Sequence, residues 1–198
     1  MLITVASFKG GVGKSVTALH LSGYLSTQKS TVLIDGDPNR TAINWAARGP
    51  GLPFPVLPES EGSRVGEFAH AVVDTAARPD SDDLKTLIEV SDLVVVPTIP
   101  DAVALDATLA TCETLQRMGS TFRVAVVMVP PIGRDGVEAC DYLKGEGIPV
   151  FETLIRRYAA YGKAALAGVL VGDAKDPRAK IAARDYAQLG REVISVKV

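Results

Sequence analysis

The chain has 198 residues with a net charge of −2, and 47% of its residues are hydrophobic. This composition is ordinary for a soluble globular protein, and the length predicts one domain over residues 1–198 with a single sizeable core. No apolar stretch approaches the roughly 20 residues that cross a bilayer, and residues 1–8 lack the layout of a signal peptide, so we expect a cytoplasmic protein without membrane contact.

Short β-branched runs alternate along the chain with longer helical patterns. The runs are apolar on both faces, as in buried parallel strands, and strands are expected at Leu2–Ser7, Thr31–Asp35, Ala69–Asp74, Leu93–Pro97, Phe122–Val129 and Pro149–Leu154. Helices are expected at Lys14–Thr27, Arg40–Arg48, Ser81–Val90, Asp101–Met118, Asp135–Gly145, Arg157–Ala167 and Pro177–Val193, with an irregular surface excursion over Gly49–Gly66. The pattern predicts a doubly wound α/β fold, with a mostly parallel sheet, helices on both faces and ligands at the carboxyl ends of the strands.

A glycine-rich segment, Lys9-Gly-Gly-Val-Gly-Lys-Ser15, joins the first strand to the first helix. Phosphate oxygens must approach backbone N–H groups closely, and glycines leave that approach open. Lys14 would place a point charge on the β- and γ-phosphates, and Ser15 a hydroxyl on Mg²⁺. The segment therefore predicts a nucleotide phosphate-binding loop, formed by Gly10, Gly11, Val12, Gly13, Lys14, Ser15 and Val16.

Acidic residues follow two of the strands that flank this loop. Asp35 and Asp37 lie at the end of the second strand, and Asp74 ends the third. Because the carboxyl ends of parallel strands meet at one edge, these carboxylates should gather beside the phosphates, where Mg²⁺ held partly through water is expected. A turn-capping role before Pro38 is the structural alternative for Asp37.

The loop resembles that of the deviant Walker A ATPases of the ParA and MinD type, whose pattern KGGxGK[ST] is matched by Lys9 to Ser15. The resemblance implies an ATP-sandwich homodimer in which Lys9 reaches the partner's phosphates. It also implies that Asp35 holds magnesium through water, that Asp37 orients the attacking water, and that Asp74 is the Walker B aspartate. Lys9, Lys14 and Asp37 are thus the expected catalytic residues, and Ser15, Asp35 and Asp74 the expected magnesium residues.

The resemblance extends through much of the chain. The segment Asp37–Trp45 resembles a first switch, Val94–Pro97 with Asp101 a second, and Ile155–Arg157 the family's C-terminal motif. The chain departs from many relatives at the strand that faces adenine. Where they end in asparagine, it reads Val127-Met-Val-Pro-Pro131, so base recognition must use backbone groups or other residues.

The region from Arg156 to Arg191 carries eight lysines and arginines against three aspartates. Such an excess suits a phosphate backbone, and ParA resemblance implies non-specific DNA binding by the ATP dimer, with Arg156, Arg157, Lys180 and Arg184 as candidates. A solvated basic helix face is the alternative. The resemblance also implies nucleoid association and a ParB-like or McdB-like adaptor protein, with a plasmid or a carboxysome as cargo.

Three other readings stay open. A MinD-like ATPase cycling on membranes would need an amphipathic C-terminal helix, for which residues 190–198 are short and sparse. An iron–sulfur relative would use Cys112 and Cys140, but both fall in helical patterns that favour buried thiols. A small-molecule enzyme of the dethiobiotin synthetase type would need a substrate pocket, and no residues indicate one.

Overall fold

A parallel sheet forms the centre of the fold. The computed structural model describes residues 1–76 and 81–197, and only the backbone of residues 81–84. In these ranges six strands pair in the order β3-β2-β4-β1-β5-β6, and every pair is parallel. The strands are β1 (Leu2–Val5), β2 (Thr31–Gly36), β3 (Val56–Pro58), β4 (His70–Thr75), β5 (Leu93–Thr98) and β6 (Phe122–Val126).

Helices pack on both faces of this sheet. They are α1 (Lys14–Ser26), α2 (Thr41–Ala46), α3 (Ser81–Val90), α4 (Ala102–Arg117), α5 (Asp135–Gly145), α6 (Ala159–Ala167) and α7 (Ala179–Ser195). Successive residues of β5 point to opposite faces: Leu93 and Val95 pack into the core beside α1 and α7, whereas Val94 and Val96 pack into the core beside α4 and α5. The prediction of a doubly wound α/β fold is confirmed.

The strand expected over Pro149–Leu154 is wrong. Only isolated bridges occur there, between Val124 and Val150 and between Val129 and Arg156. The backbone N–H groups of Glu152 and Thr153 donate instead to the carboxylate of Glu192 on α7, at 2.8 and 2.9 Å. Phe151 still donates to Val124 of β6, but the next donor in register, Thr153, is bound to this helix side chain, so the ladder is interrupted.

The excursion expected over Gly49–Gly66 is more regular than predicted. It contains β3, which extends the sheet beyond β2 with Leu33 opposite Val56, and a 3-10 helix over Glu59–Glu67. β3 is an edge strand, so a backbone N–H on its outer side has no partner strand. Pro58 is tolerated there because the N–H that proline lacks is not needed for pairing. Prolines hid this short strand from the sequence pattern.

His20 lies at the centre of an aromatic cluster beneath the phosphate loop. Its ring stacks on Tyr186, with centroids 4.8 Å apart, and meets Trp45 and Tyr161 edge-on. Its Nδ1 lies 2.7 Å from the Val16 carbonyl oxygen, and its Nε2 accepts the Val171 N–H at 3.0 Å. These two contacts require the neutral ring, with its proton on Nδ1.

Stability is expected to fall in acid because of His20. Burial lowers the pKa of His20 to about 4, against a smaller opposing effect of the Val16 hydrogen bond. The unfolded chain takes up this proton near pH 6.5 and the folded chain does not, so the stabilisation is complete above that pH and is lost towards pH 4, by up to about 1.4 kcal/mol per pH unit. Urea unfolding of the protein and of His20→Gln across this range measures the difference, and parallel stability curves would contradict the assignment.

Candidate active site

The phosphate loop has the backbone geometry that close anion contact requires. Gly11 and Gly13 have φ of 78° and 81°, a left-handed region that glycine adopts without strain. Gly13 is the residue before α1, and no side chain caps that helix end. The first N–H groups of α1 are therefore left to an outside acceptor.

Lys14 is almost buried at the start of α1, with 7% of its surface exposed. Its Nζ donates to the Lys9 carbonyl oxygen at 3.4 Å, so the ammonium lies across its own loop. Burial lowers the pKa of Lys14, while the negative charges of Asp74 and Asp37 raise it. A phosphate chain would add a direct anionic partner for this buried ammonium.

Asp74 is the most conspicuous polar residue of the site. It is fully buried near the end of β4, and within the described part of the chain neither carboxylate oxygen has a hydrogen-bond partner. Burial raises the pKa of Asp74 to about 7, with Ser15 acting against the shift and Asp35 adding to it. A buried carboxylate without donors is costly, so this position favours a cation or ordered water beside it.

Asp35 lies opposite Asp74 in the register of β2 and β4, as the strand-end rule predicts. Its two oxygens accept hydrogen bonds from backbone N–H groups. One donor is Asp37 at 3.2 Å, in the turn after β2, and the other is Ile43 at 2.9 Å, in α2. Asp35 therefore also ties α2 to the sheet. Asp37 is half-buried, and its Oδ1 accepts hydrogen bonds from both the backbone N–H and the side-chain amide of Asn39.

Lys9 forms an ion pair with a residue outside the phosphate loop. Its Nζ lies 3.5 Å from Asp101 Oδ1. Asp101 precedes α4 and caps it by accepting the Ala104 N–H at 3.1 Å. The ion pair is partly exposed, so it contributes about 1 kcal/mol at most. Lys9 is therefore free to exchange this partner for a stronger anion.

Comparison with known proteins bears on this arrangement of loop and carboxylates. Residues 3–196 match the family model described as the CobQ/CobB/MinD/ParA nucleotide binding domain. The chain belongs to this family. As a ParA/MinD-type protein it is an ATPase, as its phosphate loop indicates.

Two relatives match along nearly the whole chain. The "Maintenance of carboxysome distribution protein A" of Gloeobacter kilaueensis is 35% identical, over 97% of this chain and 93% of the relative. The protein of the same name in Halothiobacillus neapolitanus is 27% identical, over 97% and 95%. Among solved structures, the ATP complex of a Cyanothece McdA variant matches with a TM-score of 0.73 and 16% identity, over 100% of this chain and 97% of that one. At that identity the match concerns the fold alone.

The sequence did not reveal an apolar cavity of about 120 Å³ beside the loop of this ATPase. Its lining joins Gly13 and Val16 to residues from distant parts of the chain: Val127, Met128, Ile155, Arg156, Arg157, Tyr158, Tyr161 and Tyr186. Tyr186 also reaches α1, with its hydroxyl 3.2 Å from Thr17 Oγ1. The unusual Val127-Met-Val-Pro-Pro131 segment was the one sequence signal that pointed here.

Arg156 lies in a different setting from the other DNA-binding candidates. Its backbone N–H, Nε and Nη2 all donate to the buried carboxylate of Asp185 on α7. The guanidinium also lies 5.7 Å from the Tyr158 ring centroid. Arg156 thus joins the segment between α5 and α6 to α7, whereas Arg157, Lys180 and Arg184 are exposed.

The two cysteines are core residues. Cys112 lies in α4 with 0% of its surface exposed and Cys140 in α5 with 8%. Burial raises the pKa of Cys112 to about 12 and also raises that of Cys140. Such thiols stay protonated and are poor ligands for a cluster.

As for membranes, residues 1–76 and 81–197 include no helix with the length and apolarity to span a bilayer.

Proposed function

We propose that this ATPase is a positioning ATPase with a carboxysome as its cargo. The ATP-bound form is a sandwich dimer that binds DNA non-specifically, and an McdB-like adaptor on the cargo stimulates hydrolysis and release. The supporting observation is the 35% identity, along nearly the whole chain, to a protein named for carboxysome distribution. A plasmid with a ParB-like adaptor is the second candidate, favoured by the 31% identity of 58% of the chain to "Protein ParA" of Rhizobium radiobacter.

The residues present fit a magnesium ion beside the phosphates. Ser15 would bind it directly, and Asp74 and Asp35 would bind its water ligands, since no described residue pairs with either carboxylate oxygen of Asp74. Bound there, magnesium would neutralise charge on the phosphate oxygens. Asp74 would then gain a second positive neighbour in addition to Lys14.

Hydrolysis would depend on Asp37 and Lys14. Asp37 lies past the end of β2 at the mouth of the site, where its free Oδ2 can orient a water towards the γ-phosphate. Lys14, buried at the start of α1, would stabilise charge on the phosphates. Lys9 of the partner subunit would complete the charge neutralisation, in the manner of an arginine finger.

A basic stripe on α7, formed by Lys180, Arg184 and Arg191, is the surface proposed for DNA. All three residues are exposed, and at about 100° per residue they lie within roughly 40° around the helix axis. The opposite side of α7, with Tyr186 and Leu189, is buried against the core. Contacts with several phosphates give an affinity that falls steeply with salt, and a dimer doubles the stripe.

Reversing this stripe is expected to abolish DNA binding without affecting dimerisation. The assay is a gel shift with random duplex at low salt. The ATP-bound dimer of the Lys180→Glu, Arg184→Glu, Arg191→Glu variant should form no complex with the DNA. The ADP form of the unaltered protein should form none either. A matched control reverses Lys29, Lys85 and Arg117, which are exposed on other elements. Arg156→Glu is unsuitable because it would place a second carboxylate against Asp185. If the stripe variant binds like the control, the proposed DNA surface is wrong.

The cargo has its own test in cells. Carboxysomes labelled through a shell protein should be evenly spaced with the gene present and clustered without it. Unchanged spacing together with plasmid loss would assign the protein to plasmid partition instead.

A further inference from the structure

Met128 adopts a backbone conformation that its residue type disfavours. Its φ is 54°, and in the described part of the chain only Arg40 shares a positive φ among residues other than glycine. Side chains with a β-carbon rarely enter this left-handed region, and asparagine tolerates it better than methionine. Strained residues of this kind cluster at ligand sites.

The side chain of Met128 closes the cavity against the phosphate loop. A β-carbon placed on Gly13 would lie 3.1 Å from Met128 Cε, so the terminal methyl group covers the loop glycine. Met128 is thus an apolar wall between the phosphate loop and the cavity of about 120 Å³.

Several of the hydrogen-bond donors around this cavity are committed elsewhere. The N–H of Val127 donates to Thr98 at 2.7 Å, and the N–H of Arg157 donates to Val129 at 2.8 Å. The Tyr161 hydroxyl donates to the Ala182 carbonyl oxygen. Asp185 occupies the Arg156 guanidinium. A base in this cavity would be held mainly by apolar and aromatic contact, including the Met128 thioether.

We propose that Met128 determines base selection, and that it makes this ATPase discriminate only weakly between ATP and GTP. The proposal rests on the cavity being the base site of the proposed ATPase. Apolar pockets separate similar ligands by roughly 10- to 200-fold, whereas sites that hydrogen-bond the distinguishing group reach about 10⁴-fold or more. Met128 supplies no such hydrogen bond.

Calorimetric titration with ATP and GTP tests the proposal on the protein, Met128→Asn and Met128→Leu. We expect a Kd ratio of GTP to ATP below about 100 for the protein and for Met128→Leu, which keeps an apolar wall. Met128→Asn should raise the ratio by about tenfold, since an amide adds one selective hydrogen bond. Its melting temperature should also rise, because asparagine fits the left-handed conformation.

Two results would overturn the proposal: a ratio above about 10³ for the protein, or an unchanged ratio in Met128→Asn. A higher melting temperature with an unchanged ratio would make the conformation of Met128 purely structural. ADP and GDP are titrated as well, because diphosphates report base selection on the monomer. Failure of the dimer or DNA steps of the proposed function would leave that readout intact.

Discussion

Lys14→Ala is expected to abolish nucleotide binding. Lys14 is the buried cation of the loop, and charged hydrogen bonds to two phosphates at about 1.5–3 kcal/mol each correspond to roughly 10²- to 10⁴-fold in affinity. Removing the ammonium also leaves Asp74 without a nearby positive charge. Calorimetric titration with magnesium and ATP should detect no binding at concentrations that saturate the unaltered protein.

Lys9→Ala is the matched comparison for this prediction. Lys9 contacts Asp101 and is proposed to act on the partner subunit's phosphates, so the variant should bind ATP normally as a monomer and fail to dimerise or hydrolyse it. Asp101→Asn is the control for the lost ion pair, because its amide oxygen can still cap α4. If Lys9→Ala loses ATP affinity as completely as Lys14→Ala, the role of Lys9 across the dimer interface is wrong.

Asp37→Ala is expected to slow hydrolysis by about 10² to 10⁴ while ATP and magnesium still bind. A group that positions or deprotonates the attacking water typically contributes this much. With hydrolysis blocked, the dimer should persist in ATP during sizing chromatography and bind duplex DNA. Single-turnover hydrolysis of bound ATP measures the chemical step itself.

The second function of Asp37, in the turn that holds Asn39, needs a separate control. Asp37→Asn keeps an oxygen that can accept from the Asn39 backbone N–H, now contacted at 2.9 Å, but lacks the carboxylate. We expect it to be as slow as Asp37→Ala. Rapid turnover in Asp37→Asn would limit Asp37 to its role in the turn.

Much of the site could be predicted from the sequence because its parts are local. The loop from Lys9 to Ser15 is contiguous, and glycine and lysine act there through backbone freedom and charge. Asp35 and Asp74 each end a buried strand, and parallel pairing then makes them neighbours in the sheet. The hydrophobic runs likewise predicted five of the six strands, because buried parallel strands are apolar on both faces.

Tertiary structure decided what depends on partners far along the chain. Glu192 binds the backbone of Glu152 and Thr153, so the expected strand does not form. Asp185 binds the guanidinium of Arg156. From the sequence, Arg156 was predicted to be a free positive charge on the surface. Apart from the segment that contains Met128, the cavity has no sequence signature, because its walls come from separate parts of the chain that only the folded sheet brings together. Charge and spacing along the chain therefore predicted the phosphate loop and its carboxylates, whereas long-range packing decided which basic groups remain free and which residues line the cavity.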